Sequence, residues 1–179
     1  MKHEIQQVFA TTAERLWDTY FFDEAFNEGL HDRLGLRLDE RSLQHEGAGP
    51  TLVVRRRLRY TARRMLPRLP APLRRLLGQG TSIVETGDFC ARRRRFSLQL
   101  ELPGILQIVD CGGEFTWETL PGGALRRSWQ GHCESRLPVL GGRLARYMLG
   151  EMEGGLAESH LFLSRWIREH PVAAVLAAY

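Results

Sequence analysis

The chain holds 179 residues, 43% of them hydrophobic and 26% charged, with a formal net charge of +4. That balance is globular and excludes a disordered chain, which lacks the aliphatic and aromatic residues to build a core. No apolar run reaches the roughly 20 residues that span a bilayer, and Met1-Lys2-His3-Glu4 leads into no apolar segment of the secretory type. The length suits one domain over residues 1–179.

Residues 3–10 read as a strand. Thr11-Thr12-Ala13-Glu14 has the pattern of a capping box, with Thr11 as the cap and Glu14 reaching back to it. Leu16, Trp17, Tyr20 and Phe21 recur at helical spacing and give a short amphipathic helix. Asp23 caps a second helix, whose Phe26, Leu30 and Leu34 stand four apart, and Gly35 ends it.

Strands follow over 36–46, 51–63, 81–91, 96–102 and 105–111. The breaks between them are Gly47-Ala48-Gly49-Pro50, a Pro/Arg-rich insertion over 64–80, Arg92-Arg93-Arg94-Arg95 and Pro103-Gly104. In 51–63, Leu52, Val54, Leu58, Tyr60 and Ala62 share one face, while Arg55, Arg57, Arg59 and Arg63 share the other. Arg56 falls on the apolar face. Phe96, Leu98, Leu100 and Leu102 alternate with polar residues in the same way.

A hairpin is the clearest feature. Strands 114–120 and 124–137 flank Pro121-Gly122-Gly123, and pairing Leu120 with Ala124 sets the register. Phe115 then lies opposite Trp129 and Trp117 opposite Arg127, while Glu118 meets Arg126 on the other face, combinations that stabilise sheets. Pro138 and Gly141-Gly142 end the strand. A long helix over 143–170 carries Leu144, Met148, Met152, Gly155, Ser159, Phe162, Leu163, Trp166 and Ile167 on one broad face. Pro171 stops it before an apolar tail, 171–179.

A curved antiparallel sheet with one apolar face must bury that face, and only the last helix is long enough to cover it. The expected class is α+β: about seven strands gripping the C-terminal helix, with two short helices after the first strand. Cys90, Cys111 and Cys133 are odd in number, 21 and 22 residues apart, with no CxxC pair. They are expected as small buried hydrophobes rather than a disulfide or zinc site, in a reducing cytoplasm.

The order of elements, together with Phe9-Ala10-Thr11-Thr12-Ala13-Glu14-Arg15-Leu16-Trp17, resembles the START-like (SRPBCC) superfamily. That group includes the birch pollen allergen, lipid-transfer START domains and polyketide cyclases. Leu137-Pro138-Val139-Leu140-Gly141-Gly142-Arg143-Leu144 is similar to the "vPlvGgklE" segment of a bacterial START-like family of unknown function, and residues 69–78 look like its middle insertion. Ala145 and Arg146 stand where that family tends to have an acid. The resemblance implies a helix-grip fold with an internal cavity for an apolar or amphipathic ligand. It brings no catalytic residues.

No phosphate loop, HExxH or nucleophile-elbow pattern occurs, and the six histidines show no metal-ligand spacing. No catalytic residue, metal or cofactor is expected. Arg56 and Arg127 are the unusual residues, because a buried guanidinium needs an acid, carbonyls, water or a ligand anion. Arg127 can also stack on Trp117. Gly154-Gly155 lies mid-helix, where it serves a close crossing, a bend or cavity space.

Candidate ligand-binding residues are Arg56, Leu58, Tyr60, Leu98, Leu100, Phe115, Trp117, Arg127, Trp129, Met148, Met152, Gly155, Phe162 and Trp166. Arg56 is expected to orient a polar end such as a fatty-acid-like carboxylate. Catalysis of the cyclase or hydratase kind ranks lower, because the best-patterned strands turn most carboxylates outward. Residues 51–100 carry 13 basic and 2 acidic groups, and all but one of the 25 basic residues are arginine. Arg55, Arg57, Arg59, Arg63, Arg74 and Arg75 therefore offer a surface for anionic membrane, or an interaction face for acidic partners. No aromatics are interleaved among them, so nucleic acid is not expected.

Overall fold

In the computed structural model, residues 2–62, 71, 81–103 and 109–171 are described. Arg63, Arg74, Arg75, nearly all of the 64–80 insertion, the strand start expected at 105 and the tail after Pro171 lie outside them. The described elements run β1 (Lys2–Phe9), α1 (Ala13–Phe22), α2 (Glu24–Leu34), β2 (Leu36–Glu46), a 3-10 turn (Gly49–Thr51), β3 (Val53–Ala62), β4 (Thr81–Cys90), β5 (Arg95–Glu101), β6 (Val109–Thr119), β7 (Leu125–Ser135) and α3 (Gly141–Glu169). The seven strands form one antiparallel sheet in the order β1-β7-β6-β5-β4-β3-β2. This is the α+β helix-grip architecture that the alternation and the long helix imply.

Local signals account for most boundaries. Asp23 accepts from the Phe26 amide at 2.9 Å and starts α2, and Gly35, at φ 68°, closes it in the left-handed region that glycine adopts without strain. The cap of α1 is Thr12, not Thr11: its hydroxyl accepts from the Arg15 amide at 3.3 Å. Either threonine suits a capping position, and the helix takes the second. β3 alternates as expected, with Arg56 on the buried face.

The hairpin register is the expected one, Phe115 with Trp129, Trp117 with Arg127 and Glu118 with Arg126. Two expectations change around it. Gly112-Gly113 does not interrupt the chain, and β6 is one strand from Val109 to Thr119. The cysteines are not all reduced: Cys111 and Cys133 form a disulfide, with Cα atoms 4.2 Å apart. The 22-residue spacing is the length of a hairpin, and the register brings its two ends face to face. Cys90 is free.

Two buried clusters fill the space between sheet and helices. Trp17 of α1, 2% exposed, centres the larger one. Its ring lies within 6.1 Å, centroid to centroid, of Tyr20, Phe21, Phe89, Phe96, Phe115 and Trp117. The smaller cluster joins Leu102, Val109 and the disulfide to Leu144, Met148 and Leu149 at the start of α3. α3 is tied to the sheet edge at β1, where Gln7 Nε2 donates to the Leu156 carbonyl at 2.9 Å and His160 Nε2 sits 3.0 Å from the Val8 carbonyl.

Candidate functional site

Between the two clusters the interior is hollow. A cavity of about 820 Å³ lies between the concave sheet face, α2 and the middle of α3. On the helix side its wall includes three glycines. Gly150, Gly154 and Gly155 of α3 all line it, and a Cβ at any of them would meet nothing within 4 Å. The glycine pair therefore does not serve a close-packed crossing; it leaves space. On the sheet side Gly113 and Gly131 are direct partners, and the Trp129 ring lies over both. A Cβ would come within 2.4 Å of that ring at Gly113 and 2.5 Å at Gly131.

The lining includes nine of the fourteen expected residues: Arg56, Tyr60, Leu98, Leu100, Phe115, Trp129, Met148, Met152 and Gly155. The other five sit elsewhere. Leu58 is buried on β3. Trp117 stacks on Phe89 in the aromatic cluster. Phe162 stacks on Phe26, and the Trp166 indole donates to Asp23 Oδ2 at 2.8 Å. Trp117, Phe162 and Trp166 lie on the right face but too far along it, where packing has closed the space, whereas Leu58 lies between the lining residues Arg56 and Tyr60 without itself lining the cavity.

Arg127 is 1% exposed and is also absent from the lining. Its guanidinium donates twice to Gln7 Oε1 and lies 4.7 to 5.9 Å from the ring centres of Phe115, Phe9 and Trp17. The expected stack on Trp117 is replaced by these three rings. Burial without a carboxylate brings its pKa down to about 10.

Arg56 stands at the cavity wall with a different set of partners. Its Nη2 lies 2.6 Å from Glu85 Oε1 and donates to the Tyr20 hydroxyl at 2.8 Å, and its guanidinium lies 4.5 Å from the Tyr20 ring centre. The Glu85 contact is an ion pair without hydrogen-bond alignment, and Arg56 Nε and Glu85 Oε1 find no hydrogen-bond partner among the described residues. Burial opposes the Arg56 charge, yet Glu85 holds its pKa above the ordinary guanidinium value. β4 turns Glu85 inward between Ile83 and Gly87, and the register sets it opposite Leu58, one step along from Arg56.

Beside the pair, the Tyr60 hydroxyl and His31 Nε2 are 3.3 Å apart. Burial, then Arg56 and Arg41, lower the His31 pKa to about 4, so the ring is neutral at physiological pH. Burial and Glu85 push the Tyr60 phenol up. Tyr20, His31 and Glu85 are absent from the residues expected on sequence grounds. A face count on β4, running Ile83, Glu85, Gly87 and Phe89, finds Glu85. Tyr20 of α1 stands on the apolar face already read from its helical spacing, whereas His31 carries no such signal, because which face of α2 meets the cavity is decided by tertiary packing. Among the described residues no group of His, Cys, Asp and Glu could hold a metal ion.

Three solved structures share the fold from end to end. TTHA0849 from Thermus thermophilus is 16% identical, with a TM-score of 0.57 over 96% of this chain and 99% of that one. The Zhui aromatase/cyclase from Streptomyces sp. R1128 is 13% identical, with a TM-score of 0.58 over 98% of each chain. A START superfamily protein from Mycobacterium smegmatis is 13% identical, with a TM-score of 0.54 over 94% of this chain and 97% of that one. At such identities the likeness shows the fold alone. No curated protein matches the chain. The family described as protein of unknown function (DUF2505) matches residues 4–167, from β1 into the last turns of α3, and the chain belongs to that family.

Proposed function

We propose that the protein binds or carries a hydrophobic small molecule or lipid in the cavity between the sheet and α3. One observation carries this reading: a space of about 820 Å³, within the range of ligand sites, is lined mainly by apolar side chains and has the Arg56–Glu85 pair in its wall. Leu98, Leu100, Phe115, Trp129, Met148 and Met152 would hold the apolar body, and the cluster around Arg56 the polar end. The glycines of α3 and, at the α2 end, Gly35 and Arg33 also line this space. Incubation of the protein with mixed lipids followed by native mass spectrometry tests this. Retained mass of defined stoichiometry is expected; a protein that stays empty across the panel sinks the reading.

Arg55, Arg57 and Arg59 face outward on β3, and transient contact with an anionic membrane belongs to the same reading. Asp88 lies 3.6 Å from Arg55 and Glu40 3.1 Å from Arg59, which weakens the field that this face projects. No helix among the described residues is long and apolar enough to cross a membrane. Cytoplasmic placement rests on the sequence alone, and the Cys111–Cys133 bond suits an oxidising compartment better.

Catalysis of the cyclase or hydratase type is the second reading. It is favoured by one observation, an inward carboxylate, a neutral imidazole and a phenol on the same cavity (Glu85, His31 and Tyr60). Turnover lost in Glu85→Gln with ligand binding retained would support it over simple carriage.

A further inference from the structure

We propose that the cavity selects a ligand whose polar end is uncharged, a hydroxyl, phenol or carbonyl on an apolar body, and that the Arg56–Glu85 pair enforces this choice. The inference rests on the ligand-binding reading above and narrows its substrate class. It also replaces the carboxylate that Arg56 alone suggests.

A buried arginine without an acid is an anion site. Arg56 has its acid: Nη2 and Glu85 Oε1 are 2.6 Å apart, with the two side chains only 5% and 13% exposed. The pair is neutral as a unit. A carboxylate brought against it would be drawn to one member and repelled by the other, and would lose its own hydration with nothing to offset the loss. A neutral hydroxyl or carbonyl has a much smaller desolvation cost and finds hydrogen-bonding groups beside the pair.

Two of those groups are themselves neutral at physiological pH, the unprotonated His31 ring and the Tyr60 phenol, and the Tyr20 hydroxyl beside them accepts from Arg56. The rim adds no surplus of cations among the described residues. Among the described residues the charged lining is Arg33, Arg56, Glu85, Glu151 and Glu158, and Arg33 is held by Glu158 at 2.7 Å. Arg127 supplies the contrast. It is the buried arginine with an amide instead of an acid for a partner, yet it does not line the cavity and is enclosed by Phe9, Trp17 and Phe115.

The test uses the full chain at pH 7.5 and two matched ligand pairs, 2-naphthol against 2-naphthoate and dodecanol against dodecanoate, by isothermal titration calorimetry. The neutral member of each pair is expected to bind about tenfold tighter or more. Equal or tighter binding of the carboxylates overturns the inference and leaves the ligand-binding reading standing; binding of neither pair overturns both. Glu85→Gln, with its fold checked by circular dichroism, strips Arg56 of its counter-charge and is expected to reverse the preference. A folded Glu85→Gln protein that keeps the neutral preference removes the pair from its assigned role. Should this variant not fold, the wild-type comparison still decides.

Discussion

The two halves of the interior are built on the same strands and differ in what those strands point inward. Toward one end, β4, β5 and β6 present Phe89, Phe96 and Phe115, and α1 drives Trp17 among them. Along the same rows the other half presents Glu85, Leu98, Leu100 and Gly113, and α3 answers with glycines. Aromatic side chains interdigitate to solid packing; leucines facing glycines cannot. Each half also has a buried arginine. Both lie over three rings, but Arg127 is held by Gln7 within the packing, whereas Arg56 is paired with an acid at the cavity wall. Dense packing and open space thus fall toward different ends of one sheet.

Substitutions can break or sharpen that division. Trp17→Ala in the packed half is expected to cost about 4 kcal/mol, the transfer loss of a buried indole plus a new void. A urea titration checks it, and a loss under about 1 kcal/mol would erase the distinction between the halves. The hollow half should show a pH signature instead. The His31 pKa is held at about 4 against an ordinary 6.5, so the folded chain takes up this proton later than the unfolded one. The associated stability is present above pH 6.5 and is lost as pH falls toward 4, by up to about 3 kcal/mol. Urea midpoints at about pH 7 and about pH 4 should converge in His31→Gln relative to wild type. Leu100→Ala enlarges a space that already exists and is expected to cost only about 1 kcal/mol. Gly154→Ala, where a methyl meets nothing, should stabilise by roughly 1 kcal/mol through helix propensity alone. A destabilised Gly154→Ala protein in thermal melts would show that the glycine serves a bend rather than space.

What the sequence disclosed was local or periodic. The alternation of β3 exposed Arg56 as an exception because period two leaves no ambiguity about its face. Pro121-Gly122-Gly123 set the hairpin register, and with it which residues face one another, because a short turn allows few pairings. The same register, carried beyond Phe115 and Trp129 away from the turn, sets Cys111 against Cys133. A hairpin strand that starts at 114 leaves Cys111 outside it, and the pairing with Cys133 goes unread. The acid that neutralises Arg56 comes from another strand, and its histidine neighbour from a helix across the cavity. Neither relation has a sequence period, so the hollow is legible in kind while its polar chemistry is not. Phe162 and Trp166 are misplaced for a related reason: a helical face is legible, but how far along it a void extends depends on which partners fill it.

Gly113 and Gly131 together set how close the Trp129 ring comes to the sheet. The Trp129 indole lies flat against the sheet only because these two facing positions have no side chain. Adding one methyl group at either would lift the ring off the strands toward the opposite wall and shorten the chamber. On the ligand-binding reading proposed above, the depth left for a guest would be set from behind the wall, by two residues whose contribution is the room they leave for the indole.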